Sequence, residues 1–256
     1  MADRTILSYE SDTMLNEYLL FHYGVEADLL PFSFGPKESL FFPVRCVTEC
    51  VNMQALPPRA VGLDLGCSVG RSSFEMSKFC RRVTAIDNSH AFIDAAKEIQ
   101  QVGELSYTIC EEGMHEEKRQ AKIPSGVYPN RVDFQCRDVM DFLHETEQFY
   151  DLVLVANLLC RLQSPTAFLE KLYKVVSPAG QLILISPYTW MEEFTHRSQW
   201  IGNGSPLKSI QNILKGYFFL HRSFDMPFLI REHRRKYEWG VSQASLWTRH
   251  SEGMFI

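Results

Sequence analysis

Hydrophobic and polar positions change period along this chain, and each change marks an element. Met14, Leu15, Tyr18, Leu19, Phe21 and His22 recur at helical spacing. Ser11 or Asp12 is placed to open that helix and Gly24 to stop it, which predicts a helix within residues 5–24. Pro31, Gly35 and Pro36 mark a loop, and a second helix is predicted from Phe42 to Asn52, before the punctuation of Leu56, Pro57 and Pro58. From Val61 onward short apolar runs alternate with helical stretches. Strands are predicted at 61–66, at 81–89 with its end at Asp87, at 132–136, at 151–156 and at 181–186; helices lie between, at 71–80, 91–101 and 165–176. The run 151–156 is apolar at nearly every position, as in a strand covered on both faces. This alternation predicts an α/β fold built on a doubly wound parallel sheet. The first 58 residues precede the first strand, so they are expected to pack on the sheet from outside, as a helical scaffold cap or as a lid over a ligand.

Two inserts interrupt the alternation. Residues 103–131 are too long for a plain connection, and SYTICEEG with KRQAKIP predicts an extra hairpin at the periphery. Residues 187–216 are polar and aromatic at first, then helical from about 206. The stretches FFLHRSFDMPFLIREHRRK and YEWGVSQASLWTRH predict a closing antiparallel strand pair. The expected organisation is one domain across 1–256, with a cap at 1–58 and a core at 59–256.

Composition narrows the function classes. A length of 256 residues with 45% hydrophobic and 22% charged content is ordinary for a globular chain with a large core. The net charge of −5 gives no general attraction to nucleic acid or an anionic membrane. The N-terminal residues carry acids where a signal peptide needs an apolar core, and no run reaches membrane-spanning length, so a cytoplasmic protein is expected. The seven cysteines form no CxxC pair and the eight histidines no HExxH, which points away from a metal site.

The candidate chemistry lies at the strand ends. In VGLDLGCSVGRSS at 61–73, Gly66 and Gly70 bracket a tight loop between strand and helix, with Asp64 just before it and Cys67 inside it. In a doubly wound sheet that position binds ligands. The loop is not GxGxxG: an acid in front of it would repel a pyrophosphate and suits a ligand carrying an ammonium group. Asp87, with Asn88 beside it, ends the second strand, where a carboxylate can accept both hydroxyls of a ribose. Asp138 and Val139 follow the third strand and can take an exocyclic amine and the face of an adenine. Asn157 and Leu158 follow the fourth. A nicotinamide dehydrogenase would need GxGxxG and a catalytic cluster that this chain lacks.

This order of acids resembles the class I S-adenosylmethionine-dependent methyltransferases, with their Rossmann-like sheet. The resemblance implies that Asp64 and the glycines hold the methionine part of the cofactor, Asp87 the ribose and Asp138 the adenine. Outside the core, YLLFHYG at 18–24, GPKESLFFPVRC at 35–46, DLGCSVGRSSFE at 64–75, NLLCRL at 157–162, SPYTWMEEFT at 186–195 and PFLIREHRRKYEW at 227–239 resemble the 4-mercaptohistidine N1-methyltransferase family of ovothiol biosynthesis. Cys160 departs from the acid expected within NLLCRL. The resemblance implies N-methylation of the imidazole of mercaptohistidine, with S-adenosylhomocysteine as co-product and a sulfoxide synthase domain or protein as a partner. A free amino acid needs a cation for its carboxylate and an acid for its ammonium. Arg45 and Arg231 are candidate clamps for the carboxylate of acceptor or cofactor, and Glu192 and Glu193 are candidates for the ammonium. Tyr188, Trp190 and Trp200 are candidate walls for the imidazole, Tyr23 a closing residue from the lid and His233 a further acceptor contact. Orientation of the acceptor falls to Asn157, Tyr188 and Trp190, and no residue is assigned as a base. Two alternatives stand beside this reading: another small imidazole or thiol amino acid as acceptor, and a non-catalytic cofactor-binding partner of a sulfoxide synthase.

Overall fold

The computed structural model describes residues 9–202 and 204–251; the predicted helix's first positions, 5–8, lie outside them. Seven strands form one sheet: β1 (Val61–Leu65), β2 (Arg82–Asp87), β5 (Val132–Cys136), β6 (Tyr150–Ala156), β7 (Val176–Ser186), β8 (Phe218–His233) and β9 (Lys236–Arg249). The order across it is β5-β2-β1-β6-β7-β9-β8. The first five in that order run parallel, and β9 and β8 close the edge antiparallel, with Gln181 opposite Thr248 and Ser186 opposite Gln243. The two remaining strands, β3 (Glu104–Cys110) and β4 (Glu116–Lys122), form a separate hairpin.

The helices are α1 (Asp12–Tyr23), α2 (Glu26–Leu29), α3 (Phe42–Thr48), α4 (Arg71–Met76), α5 (His90–Val102), α6 (Val139–Glu145), α7 (Pro165–Lys171) and α8 (Pro206–Leu214). The capping logic of α1 holds: the Ser11 hydroxyl accepts from the Met14 amide, and Gly24 ends the helix with its own N–H on the Leu20 carbonyl. The second helix ends earlier than its sequence pattern predicts, at Thr48. The backbone at Asn52 instead pairs with the carboxamide of Gln181 on β7, through both its N–H (2.9 Å) and its carbonyl (2.8 Å).

Strand alternation divides the core. Leu63, Leu65, Val153, Val155, Leu182 and Leu184 point to one face, where Phe142, Phe168, Leu169, Ile210 and Trp247 cover them. Leu152, Leu154, Ile183 and Ile185 point to the other, among Leu19, Phe21, Phe74, Ile93 and Phe228. The N-terminal helices therefore belong to one face's core.

The hairpin is less peripheral than expected. Tyr107, Ile109 and Ala121 are buried in the same core as α1, and the Thr108 amide donates to Asn16 of α1 at 3.0 Å. Arg119 of β4 pairs with Asp28 of α2 at 2.8 Å. The hairpin thus backs the helix that roofs the sheet. Among the described residues, no helix is long and apolar enough to cross a membrane.

Candidate functional site

At the carboxyl ends of β1, β2, β5 and β6, beneath α1 and α3, lies a cavity of about 590 Å³, within the size range of small-molecule sites. β1 has β2 on one side and β6 on the other, so the cavity sits where the strand order reverses. The loop after β1 is shaped by positive φ angles at Gly66 (78°), Ser68 (50°) and Gly70 (86°). A Cβ on Gly70 would come within 2.6 Å of the Phe134 ring, so this turn requires glycine.

Asp64 is 2% exposed and accepts a 2.6 Å hydrogen bond from the Ser73 hydroxyl. Burial raises its pKa to about 7 against that hydrogen bond, and the nearby Asp87 charge adds to the rise. Asp87 accepts from the Ser68 amide on one oxygen (2.9 Å) and from the Ser89 amide on the other (3.0 Å). Burial also raises its pKa, opposed by those backbone donors. Asp138 caps α6 through one oxygen, which accepts from the Met140 and Asp141 amides at 2.7 and 3.2 Å. Asn157 is held at φ 54°, and its side-chain oxygen accepts from the buried Ser242 hydroxyl at 2.8 Å. Its amide NH₂ is left to donate.

Asp64, Gly66, Cys67, Asp87, Asn88, Asp138, Val139, Asn157, Leu158 and Glu193 all line this one cavity, while Gly70 shapes the loop from just outside the lining. The remaining candidates do not line it. Arg45 turns to Glu49 (2.8 Å) and to the Pro227 carbonyl (2.9 Å). Arg231 is buried against Glu111 at 2.6 Å and donates to the Asp28 carbonyl, fastening β8 to the hairpin and α2. Its partners come from residues far away in sequence, so no local pattern could reveal that it is a strut. Tyr23 donates to the Val69 carbonyl at 2.7 Å and braces the glycine loop from behind. Tyr188 donates to Gln243 at 3.1 Å, Trp200 to the Thr195 carbonyl at 2.8 Å, and Trp190 packs on the opposite core. Glu192 is exposed, and His233 accepts from the Arg235 amide within the β8–β9 turn.

Several lining residues are not among the site candidates of the sequence. Tyr9, Tyr18, Phe21 and His22 come from the N-terminal segment, Phe42, Pro43 and Cys46 from α3, and Phe92 from α5. The turn after β6 contributes Arg161, which donates to the Tyr9 hydroxyl (3.1 Å) and the Thr189 carbonyl (3.0 Å) and lies over the Phe194 ring. It lies four residues after Asn157, within the segment NLLCRL. Cys160 beside it is fully buried, so this position points into the core.

Comparison with known proteins agrees with this geometry. Residues 63–184 match the family model of a methyltransferase domain, a span that begins within β1 and takes in the glycine loop and β6. A ubiquinone biosynthesis O-methyltransferase from Xanthomonas axonopodis pv. citri is 29% identical over 152 residues, 59% of this chain and 52% of its own length. The chain thus spans about half of that relative. Among solved structures, the N-methyltransferase NodS from Bradyrhizobium japonicum in complex with S-adenosyl-l-homocysteine superposes with a TM-score of 0.54 at 15% identity, covering 93% of this chain and 99% of that one. Magnesium protoporphyrin IX methyltransferase from Synechocystis with bound SAM gives 0.50 at 15% identity, covering 93% and 97%. At such identity the structural likeness establishes the fold.

Proposed function

We propose that this chain, a class I S-adenosylmethionine-dependent methyltransferase, methylates the imidazole of a free amino acid, with mercaptohistidine as its acceptor. The observation that carries the acceptor class is that Arg161 and the exposed Glu193 line one cavity with the rings of Tyr18, Phe92 and Phe194. A cation and a carboxylate beside flat apolar walls suit a zwitterion with a planar side chain. The resemblance of NLLCRL, SPYTWMEEFT and PFLIREHRRKYEW to the mercaptohistidine methyltransferases supports the specific acceptor.

The residues present fit the cofactor. Asp64 is a buried carboxylate with no cationic partner among the described residues, which suits an ammonium group. A Cβ on Gly66 would meet Leu158 at 3.2 Å, so the glycine keeps this wall low for a ligand. Each Asp87 oxygen accepts one backbone N–H and keeps a lone pair for a ribose hydroxyl. Val139, Met140 and Leu158 offer apolar faces to an adenine, with the second oxygen of Asp138 at its edge. Bound there, S-adenosylmethionine supplies an electrophilic methyl on a sulfonium.

The rest is the work of the chain. Transfer requires the acceptor nitrogen about 3–3.5 Å from the methyl and in line with the breaking bond, so orientation is the leading contribution. Arg161, fixed by Tyr9 and Thr189, would hold the acceptor carboxylate, and Glu193 its ammonium. Tyr9, Tyr18, Phe92 and Phe194 give the cavity aromatic walls, and Asn157 has an amide NH₂ to donate at the cavity wall. No base is required: a thiolate on the acceptor ring offsets the positive charge that arrives with the methyl. Arg161→Met should raise the acceptor KM while leaving S-adenosylhomocysteine affinity near its starting value. An analogue of the acceptor lacking its carboxylate should be insensitive to that substitution. Equal loss for both acceptors would remove Arg161, and the zwitterion argument with it.

A further inference from the structure

The last turn of α1 is fastened to the glycine loop at two points. The Tyr23 hydroxyl donates to the Val69 carbonyl at 2.7 Å, and Arg71 donates to the His22 carbonyl at 3.4 Å. The His22 side chain between them is 8% exposed and lines the cavity, and its Nδ1 has no hydrogen-bond partner. Ser68 Oγ, in the glycine loop and lining the same cavity, is also buried and unpartnered. Among the described residues three buried side-chain atoms lack a partner; the third, Arg231 Nε, belongs to a residue that does not line the cavity. Buried polar groups nearly always find a partner in protein, water or ligand. Two such groups, one in the loop that follows Asp64 and one on the helix turn fastened to that loop, therefore mark where a polar ligand end is received.

We propose that His22 is a cofactor contact, its imidazole hydrogen-bonding the amino-acid end of bound S-adenosylmethionine, so that α1 forms part of the cofactor site. Burial, with the Arg71 charge adding to it, holds this imidazole neutral by lowering its pKa to about 3. A neutral ring offers one donor and one lone pair, so His22 can meet the ligand's carboxylate or ammonium without placing a second charge beside Asp64. Ser68, whose hydroxyl can rotate, takes the other group. The inference rests on the cofactor and not on the identity of the acceptor.

Calorimetric titration without any acceptor tests it, using S-adenosylhomocysteine and 5′-methylthioadenosine, which has the adenosyl and sulfur but no amino-acid end. His22→Phe keeps the bulk of the ring and should weaken S-adenosylhomocysteine by roughly tenfold, as for a lost hydrogen bond to a charged group, with 5′-methylthioadenosine unchanged. His22→Asn, which retains a donor and an acceptor near Nδ1, should recover most of the loss. Equal weakening of both ligands would make His22 a packing residue of the lid, and no change with either would leave it without a role in the cofactor site; both results overturn the proposal. Because no acceptor is present, an error in the acceptor assignment cannot produce either result.

Discussion

Asp64 and Asp87 are both carboxylates at strand ends, yet the structure gives them different work. Asp87 is tied by two backbone amides, one on each oxygen, and the proposed cofactor site uses its remaining lone pairs for ribose hydroxyls. Asp87→Ala should cost about 1–3 kcal/mol of S-adenosylhomocysteine affinity by calorimetry, the range for orphaned polar groups. Asp64 is the pH-sensitive member. Its folded pKa is raised from 3.8 to about 7, chiefly by burial. Between those values the folded chain binds more protons than the unfolded one, so this group makes the free protein less stable as pH rises from about 4 to about 7. A cationic ligand end favours the ionised form. S-adenosylhomocysteine affinity should therefore climb as pH rises through about 7, and in Asp64→Asn the climb should be absent from a weaker baseline. An unchanged slope in the variant would contradict the assignment. These acids were legible in sequence because strand ends in a doubly wound sheet are ligand positions. Arg45 and Arg231 were not, because an arginine's partner is chosen by tertiary contact.

At the scale of elements, most boundaries follow from periodicity and capping, while the roles of helices and hairpins depend on what they meet. α1 reads as part of a scaffold cap or of a lid over a ligand, and in the structure its Tyr18, Phe21 and His22 lie on the cavity. The β3–β4 hairpin reads as an ornament, yet it supports α1 and receives Arg231 through Glu111. Arg231 and Arg234 hold the Glu111 carboxyl below its usual range even though burial acts to raise it, so this pair is ionised in the folded chain. Arg231→Met leaves that acid without its buried partner and should lower unfolding stability by about 3 kcal/mol in chemical denaturation. The ligand affinities of the folded fraction should stay close to their starting values. A selective rise in acceptor KM with no loss of stability would instead restore Arg231 to substrate binding. The aromatic segment after β7 shows the same limit: Tyr188 and Trp200 spend their polar atoms on Gln243 and the Thr195 carbonyl, while Glu193 reaches the cavity.

For the whole molecule, the strand order β5-β2-β1-β6-β7-β9-β8 brings four strand ends and the N-terminal helices around one cavity. The sheet places Asp64, Gly66 and Asp87 on that cavity, with Gly70 shaping the loop beside it, and strand-end positions of this kind can be picked out from the sequence. Tyr9, Phe92, Arg161 and Glu193, to which the proposed function gives the acceptor, line the same cavity from positions far apart in the chain. Incubation with S-adenosylmethionine and mercaptohistidine or histidine, with the product's methyl position assigned by mass spectrometry and nuclear magnetic resonance, tests the account most directly. A single methyl on a ring nitrogen of mercaptohistidine, with little or none on histidine, is the expected result. A methyl on the sulfur, equal turnover of histidine, or cofactor binding with no product from either would contradict it.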